Sequence, residues 1–265
     1  MKKLFATLLA VLMVLTLAGC GSNETTSQTD SEYVKEKGTL VVGITNFEPM
    51  DYPDENGEWI GFDADMAKAF GESLGVNVEF VEIDWDNKVV ELNSKSIDCI
   101  WNGMTLTSEI TSSCATSNAY ANNAQVIVCN KDMADKFADA DSIEDAKTIA
   151  VEAGSAADEI LTDAGYEDKL NRVDTQAKAL TEVKSGNSEI CVIDNMMAVA
   201  MVGEGTSFES LTYTAGLNSE EYGVAFREGS DLADALNEFF AASYEDGTML
   251  EVAEEYGVQA MIIAQ

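Results

Sequence analysis

From residue 61 to residue 107 the chain reads GFDADMAKAFGESLGVNVEFVEIDWDNKVVELNSKSIDCIWNGMTLT, an order of apolar and polar residues that admits few folds. Phe62, Met66, Ala69, Phe70 and Leu74 lie on one stripe at helical spacing, with Asp63 placed to cap the first turn and Gly75 to end the last. Val78, Phe80, Val81 and Ile83 then read as a strand, residues 86–92 as a short second helix, and residues 97–101 as another strand. Strands alternating with helices of this length predict a mostly parallel sheet with right-handed crossovers. In open sheets of that kind ligands sit beyond the carboxyl ends of the strands, and the residues delivered there are Asn102, Gly103, Met104 and Thr105.

The pattern recurs further along. Residues 124–129 and 148–152 read as strands, Gly154 and Ser155 open a helix to Ala164, and Ala177, Leu180 and Val183 mark the apolar side of another. The strand 190–193 then ends on Asp194. Ser96-Ile97-Asp98-Cys99-Ile100-Trp101-Asn102 lines up with Ser188-Glu189-Ile190-Cys191-Val192-Ile193-Asp194, each run following a helix and ending on a polar side chain. Two similar lobes facing one another would give this echo. A strand at 222–226, an amphipathic helix at 231–245 and a terminal helix at 249–256 complete the reading, and both prolines, Pro49 and Pro53, fall in one loop.

The chain begins MKKLFATLLAVLMVLTLAGC, two lysines ahead of an apolar run from Leu4 to Leu17, which has the n-region and h-region of a secretory signal. Leu17-Ala18-Gly19-Cys20 resembles a bacterial lipobox, which implies cleavage of residues 1–19 as a signal peptide and lipidation of Cys20; an ordinary signal with an incidental cysteine is the alternative. Residues 21–31 contain no apolar side chain, so 20–32 reads as a solvated tether. Roughly 245 residues remain, enough for one large domain or two lobes.

Losing Lys2 and Lys3 takes the formal charge from -33 to -35, a surface that repels phosphate backbones and anionic headgroups. Nucleic acid is excluded as a partner, and membrane attachment falls to the lipid, because no basic amphipathic face exists to supply it. Cys99, Cys114, Cys129 and Cys191 show no C-x-x-C spacing and the chain has no histidine, so no metal site and no cofactor are expected. Packing is the default role of these thiols, with a disulfide through Cys114 as the alternative. Asp54-Glu55-Asn56-Gly57 has the look of a calcium loop, but Tyr52 and Asp63 occupy the expected first and last ligand positions, and a hairpin turn reads better.

GFDADMAKA, Asp84-Trp85-Asp86 and NGMTLT, in that order, closely resemble motifs of the family-3 extracellular solute-binding proteins, the polar amino-acid receptors of ABC importers, over roughly residues 36 to 258. The resemblance implies an α/β, two-lobed, periplasmic-binding-protein-like fold, each lobe a mostly parallel sheet flanked by helices, joined by two hinge strands. It places lobe one at 33–127 plus 225–265 and lobe two at 128–224. It implies a monomeric, lipid-anchored receptor outside the cell that takes up a polar amino acid or close analogue and hands it to an ABC permease. Closure of the lobes is its only work, without chemistry. A sensory ectodomain acting with a separate membrane partner is the main alternative. An enzyme on the same scaffold is a weaker one, since no histidine and no G-x-S-x-G signature is present.

By the same resemblance Phe47 stacks on the ligand, Met50 stands where a second aromatic is usual, and Asp194 accepts from the ligand's α-ammonium with Gly103 and Thr105 as companions. A hydrogen bond to a charge of this kind is worth about 1.5 to 3 kcal/mol; capping of the next helix is the alternative for Asp194. Ser155 and Ala156 open a helix suited to an anion. Lys88 is either a contact to the ligand side chain or a solvated helix lysine, and Trp101 either walls the cleft or fills the core beneath it. The departure from the family pattern is Ile110, where an arginine usually forks onto the ligand's carboxylate. Arg172 and Arg227 fall on no pocket motif. Either the anion is held by Ser155, Thr107 and backbone N–H groups with Lys88 nearby, or the ligand has no α-carboxylate.

Overall fold

The computed structural model describes residues 28–265, which build two mixed sheets flanked by helices. The first sheet runs, edge to edge, Asn77–Glu82, Thr39–Ile44, Cys99–Thr105, Glu220–Phe226 and Ala115–Thr116, with Ala121–Asn123 also paired to Glu220–Phe226. The second runs Leu170–Val173, Ile149–Glu152, Ile190–Asp194, Gln125–Asn130 and Leu211–Gly216. Each sheet is the centre of one lobe.

The sequence echo has a structural basis. Cys99–Thr105 lies parallel to Thr39–Ile44 on one side and antiparallel to Glu220–Phe226 on the other. Ile190–Asp194 lies parallel to Ile149–Glu152 and antiparallel to Gln125–Asn130. Both are middle strands, and all five residues of the second and six of the seven in the first are buried, which is why they read as continuous apolar runs.

The chain leaves the first sheet at Asn123, joins the second at Gln125, and returns between Gly216 and Glu220. The expected lobe limits at 127/128 and 224/225 therefore fall inside strands, because pairing starts earlier than the apolar runs do. The strand expected at 97–101 also differs: it spans Cys99–Thr105, so Asn102, Gly103, Met104 and Thr105 lie within it. Antiparallel pairing of Thr105 with Tyr222 and of Met104 with Gly223 carries the strand that far.

The helix read from the apolar stripe spans Phe62–Leu74 and ends at Gly75. Asp63 does not cap it. Gly61 occupies the cap position without a side-chain bond, and the buried Asp63 carboxylate accepts instead from the Gly103 N–H at 2.6 Å and the Tyr120 hydroxyl at 2.8 Å. The second helix is a short 3₁₀ turn, Trp85–Asn87, continuing into Lys88–Asn93. Residues 54–57 form the turn of a hairpin between Tyr52–Pro53 and Trp59–Ile60, in which the Asp54 carboxylate accepts from the Asn56 and Glu58 N–H groups. All four cysteines in the described residues are buried and free. The signal peptide, Cys20 and most of the tether lie outside the described residues. Among the described residues no helix is long and apolar enough to cross a membrane.

Candidate binding cleft

A cavity lies between the two sheets. Its walls come from both lobes. Of the residues singled out from the sequence, Phe47, Lys88, Asn102, Gly103, Met104, Thr105, Thr107, Ser155, Ala156 and Asp194 line it. Met50 and Trp101 do not. Met50 is fully buried, and its carbonyl accepts from the N–H groups of Asp63 and Ala64. Trp101 is also fully buried, tilted on Phe70 and edge-on to Phe240, so it fills the core beneath the cleft. Alternation of side chains along a strand puts residue 101 on the face opposite its neighbours.

The floor of the first lobe is set by Asn102. Its side-chain oxygen accepts from the N–H and hydroxyl of Thr45, and its amide donates to the Thr45 carbonyl and to Asp51. This ties the loop that carries Phe47 to the central strand. Gly103 has a φ of 53°, and a Cβ there would lie 2.5 Å from the Phe47 ring and 3.1 Å from that of Tyr222. A glycine is required for the strand to pass beneath Phe47, which packs edge-on to Tyr222 at 6.4 Å between centroids.

The Asp194 carboxylate accepts four hydrogen bonds. One oxygen accepts from the amides of Asn123 and Gln125 and from the Tyr222 hydroxyl; the other accepts from Gln176 alone. It makes no cap bond to the helix that follows, Asn195–Met201. The Asn123 and Gln125 amides also donate to Glu220, whose carboxylate accepts further from Thr105 and Asn218. Two buried carboxylates thus share donors at the point where both connecting strands pass between the lobes. Burial, followed by the charge of Glu220, pushes Asp194 up to about 7.

Lys88 joins the lobes. Its ammonium donates to the Gly154 carbonyl at 2.8 Å and to the Trp85 carbonyl, and lies 5.1 Å from the Trp85 ring centroid. Burial lowers its pKa. Beside this bridge, Gly154 has a φ of 68°, and a Cβ there would lie 2.7 Å from the Asp86 Cα of the opposite lobe. Gly154→Ala should therefore hold the lobes apart and weaken ligand binding at least tenfold, about 1.4 kcal/mol, as read by titration calorimetry. Unchanged affinity would mean that this contact plays no part in closure.

The hydroxyls expected to help hold an anion also cap helices, but as acceptors, which leaves their O–H groups free to donate. The Ser155 hydroxyl accepts from the Asp158 N–H and caps Ala156–Asp163, and the Thr107 hydroxyl accepts from the Ile110 N–H and caps Ser108–Ser113. Ile110 is buried against the cavity. Arg172 pairs with Asp158, and Arg227 with Asp30 and Asp98; neither lines the cavity.

Glu109 and the motif residue Trp85 also line the cleft, as do Glu152, Gln176, Glu159 and Thr45, which no sequence motif singles out. Glu152 ends the strand Ile149–Glu152, so the strand-end rule that located Asn102 would have located it too.

A family model described as bacterial extracellular solute-binding proteins, family 3, matches residues 40–259. The chain belongs to this family. Among its relatives is the L-cystine-binding protein TcyA of Bacillus subtilis, 27% identical with 97% of each chain covered. Among solved structures, a mutant of ArgBP from T. maritima superposes with a TM-score of 0.79 at 32% identity, covering 86% of this chain and 98% of that one. A substrate-binding protein of an ABC uptake transporter from Streptococcus pneumoniae, solved with bound histidine, gives a TM-score of 0.78 at 30% identity, covering 87% and 97%. The two-lobed architecture and the family-3 solute-binding character are thereby shown.

Proposed function

We propose that this protein is the extracytoplasmic receptor of an ABC importer, capturing an amino acid or a close analogue in the cavity between its lobes and delivering it to the permease. The observation that carries this reading is a cavity with walls from both lobes and a buried carboxylate, Asp194, beside the crossing strands. In it Asp194 takes the ligand's ammonium through the oxygen that now accepts only from Gln176. Phe47 supplies an apolar face, and Asn102, Gly103, Met104, Thr105, Thr107, Lys88, Ser155 and Ala156 complete the walls. The relatives' cystine and histidine ligands support an amino-acid-sized guest.

The lobes divide at the strand crossings, between Asn123 and Gln125 and between Gly216 and Glu220, rather than at 127/128 and 224/225. Attachment to the outer face of the membrane through Cys20 and a monomeric state belong to the same proposal, and mass spectrometry of the mature protein tests the anchor. Binding is tested by thermal shift against a panel of amino acids and amines. Wild-type protein should be stabilised by its ligand, and Phe47→Ala should reduce that stabilisation by about 0.5 to 1.5 kcal/mol through loss of a stacking face. Equal shifts in both proteins would remove Phe47 from the site.

A further inference from the structure

Resting on the cleft being the ligand site, we propose that its ligand is a small organic dication, a diamine or an amino-guanidine, that carries no carboxylate. Glu152 is 3% exposed and lines the cavity, and one of its carboxylate oxygens has no hydrogen-bond partner. A buried, unpartnered acceptor on a cavity wall is a vacancy for a donor, and a cationic donor satisfies both its hydrogen bond and its charge.

The balance of charge points the same way. The cavity is lined by four carboxylates, Glu109, Glu152, Glu159 and Asp194, and by one cation, Lys88. A zwitterion leaves that imbalance untouched on closure, whereas a dication offsets most of it. A ligand carboxylate would find no arginine in the cavity wall, only neutral donors such as the Ser155 and Thr107 hydroxyls. Lys88 is bonded to two carbonyls, and the start of the Ala156–Asp163 helix already carries Asp158 and Glu159 in its first turn. Asp194 and Glu152 then serve as two cation acceptors. Burial and the charge of Asp194 push Glu152 up to about 8, so a cation that docks there displaces a proton.

The test is titration calorimetry of the purified protein at pH 7.5 with putrescine, cadaverine and agmatine, each against its carboxylated counterpart, ornithine, lysine and arginine, and with the neutral amino acids. At least one decarboxylated probe should bind about tenfold or more tightly than its counterpart, with proton release detected by changing the buffer. Glu152→Gln should weaken that probe by a similar factor while melting at or above the wild-type temperature. An amino acid binding as tightly as its decarboxylated partner, or tightest of all, would overturn this inference and leave the receptor reading standing. An unaltered affinity in Glu152→Gln would also overturn it. Absence of binding by every amine and every amino acid would overturn both.

Discussion

Raising the pH of the ligand-free protein from 5 to 8 should lower its stability by an amount on the order of 5 kcal/mol, seen as a fall in melting temperature of about 10 °C or more. Burial pushes the Asp63 and Asp194 carboxyls up to about 7 and Glu152 up to about 8, from ordinary values of 3.8, 3.8 and 4.5. Between the ordinary and the raised values the folded protein holds protons that the unfolded chain has released. Each such group contributes stability that is fully present below the unfolded value and is lost as pH rises through the folded one. The loss approaches 1.36 kcal/mol per pH unit per group, discounted because Asp194 is coupled to its neighbour Glu220. The groups facing Glu152 and Asp194 act together: Glu220 and Asp84 raise, while Lys88 and the donors Gln176 and Tyr222 lower. Carboxyls with lowered values, among them Asp231 and Glu189, act only in more acid solution. Melting curves that are flat between pH 5 and 8 would mean that these carboxylates are hydrated or paired.

Asp194→Asn should cut the ligand-induced stabilisation by about 3 to 5 kcal/mol, a loss of at least a hundredfold in affinity. The carboxylate is held from four directions by neutral donors, which orient it but leave its charge unmatched. Replacing it with an amide keeps an oxygen for Asn123, Gln125 and Tyr222 and removes the anion. A ligand ammonium then loses its counter-charge in a closed cleft, where such pairs are least screened. The fold should hold, because the change also removes a buried charge beside Glu220. An Asp194→Asn protein that melts as wild type and binds the same ligand with unaltered affinity would exclude Asp194 from the site.

Local periodicity carried the architecture far. The stripe from Phe62 to Leu74, the strand pairs and the echo between the Asn102 and Asp194 strands are set by neighbours a few residues apart, and the folded chain contains them. What the sequence concealed depends on partners distant along the chain. Asp63 sits where a cap would, yet its carboxylate binds the Gly103 N–H forty positions on, a contact that no helical pattern encodes. The strand reaches Thr105, beyond its apolar run, because its extension rests on pairing with Glu220–Phe226. For Met50 and Trp101 the motif leaves cleft wall and core packing both open, and packing against the first-lobe core claims both. Asp194 was legible as a carboxylate closing an apolar strand. Its donors Asn123, Gln125 and Gln176 were not, since they arrive from three separate elements.

The central claim is that the cavity between the lobes receives a cationic nitrogen at Asp194, and a crystal structure grown with the tightest-binding member of the amino-acid and amine panel addresses it most directly. A ligand enclosed by both lobes, with a nitrogen within about 3 Å of an Asp194 oxygen, is the predicted result. A ligand bound outside the cleft, or one presenting no nitrogen to Asp194, would contradict it.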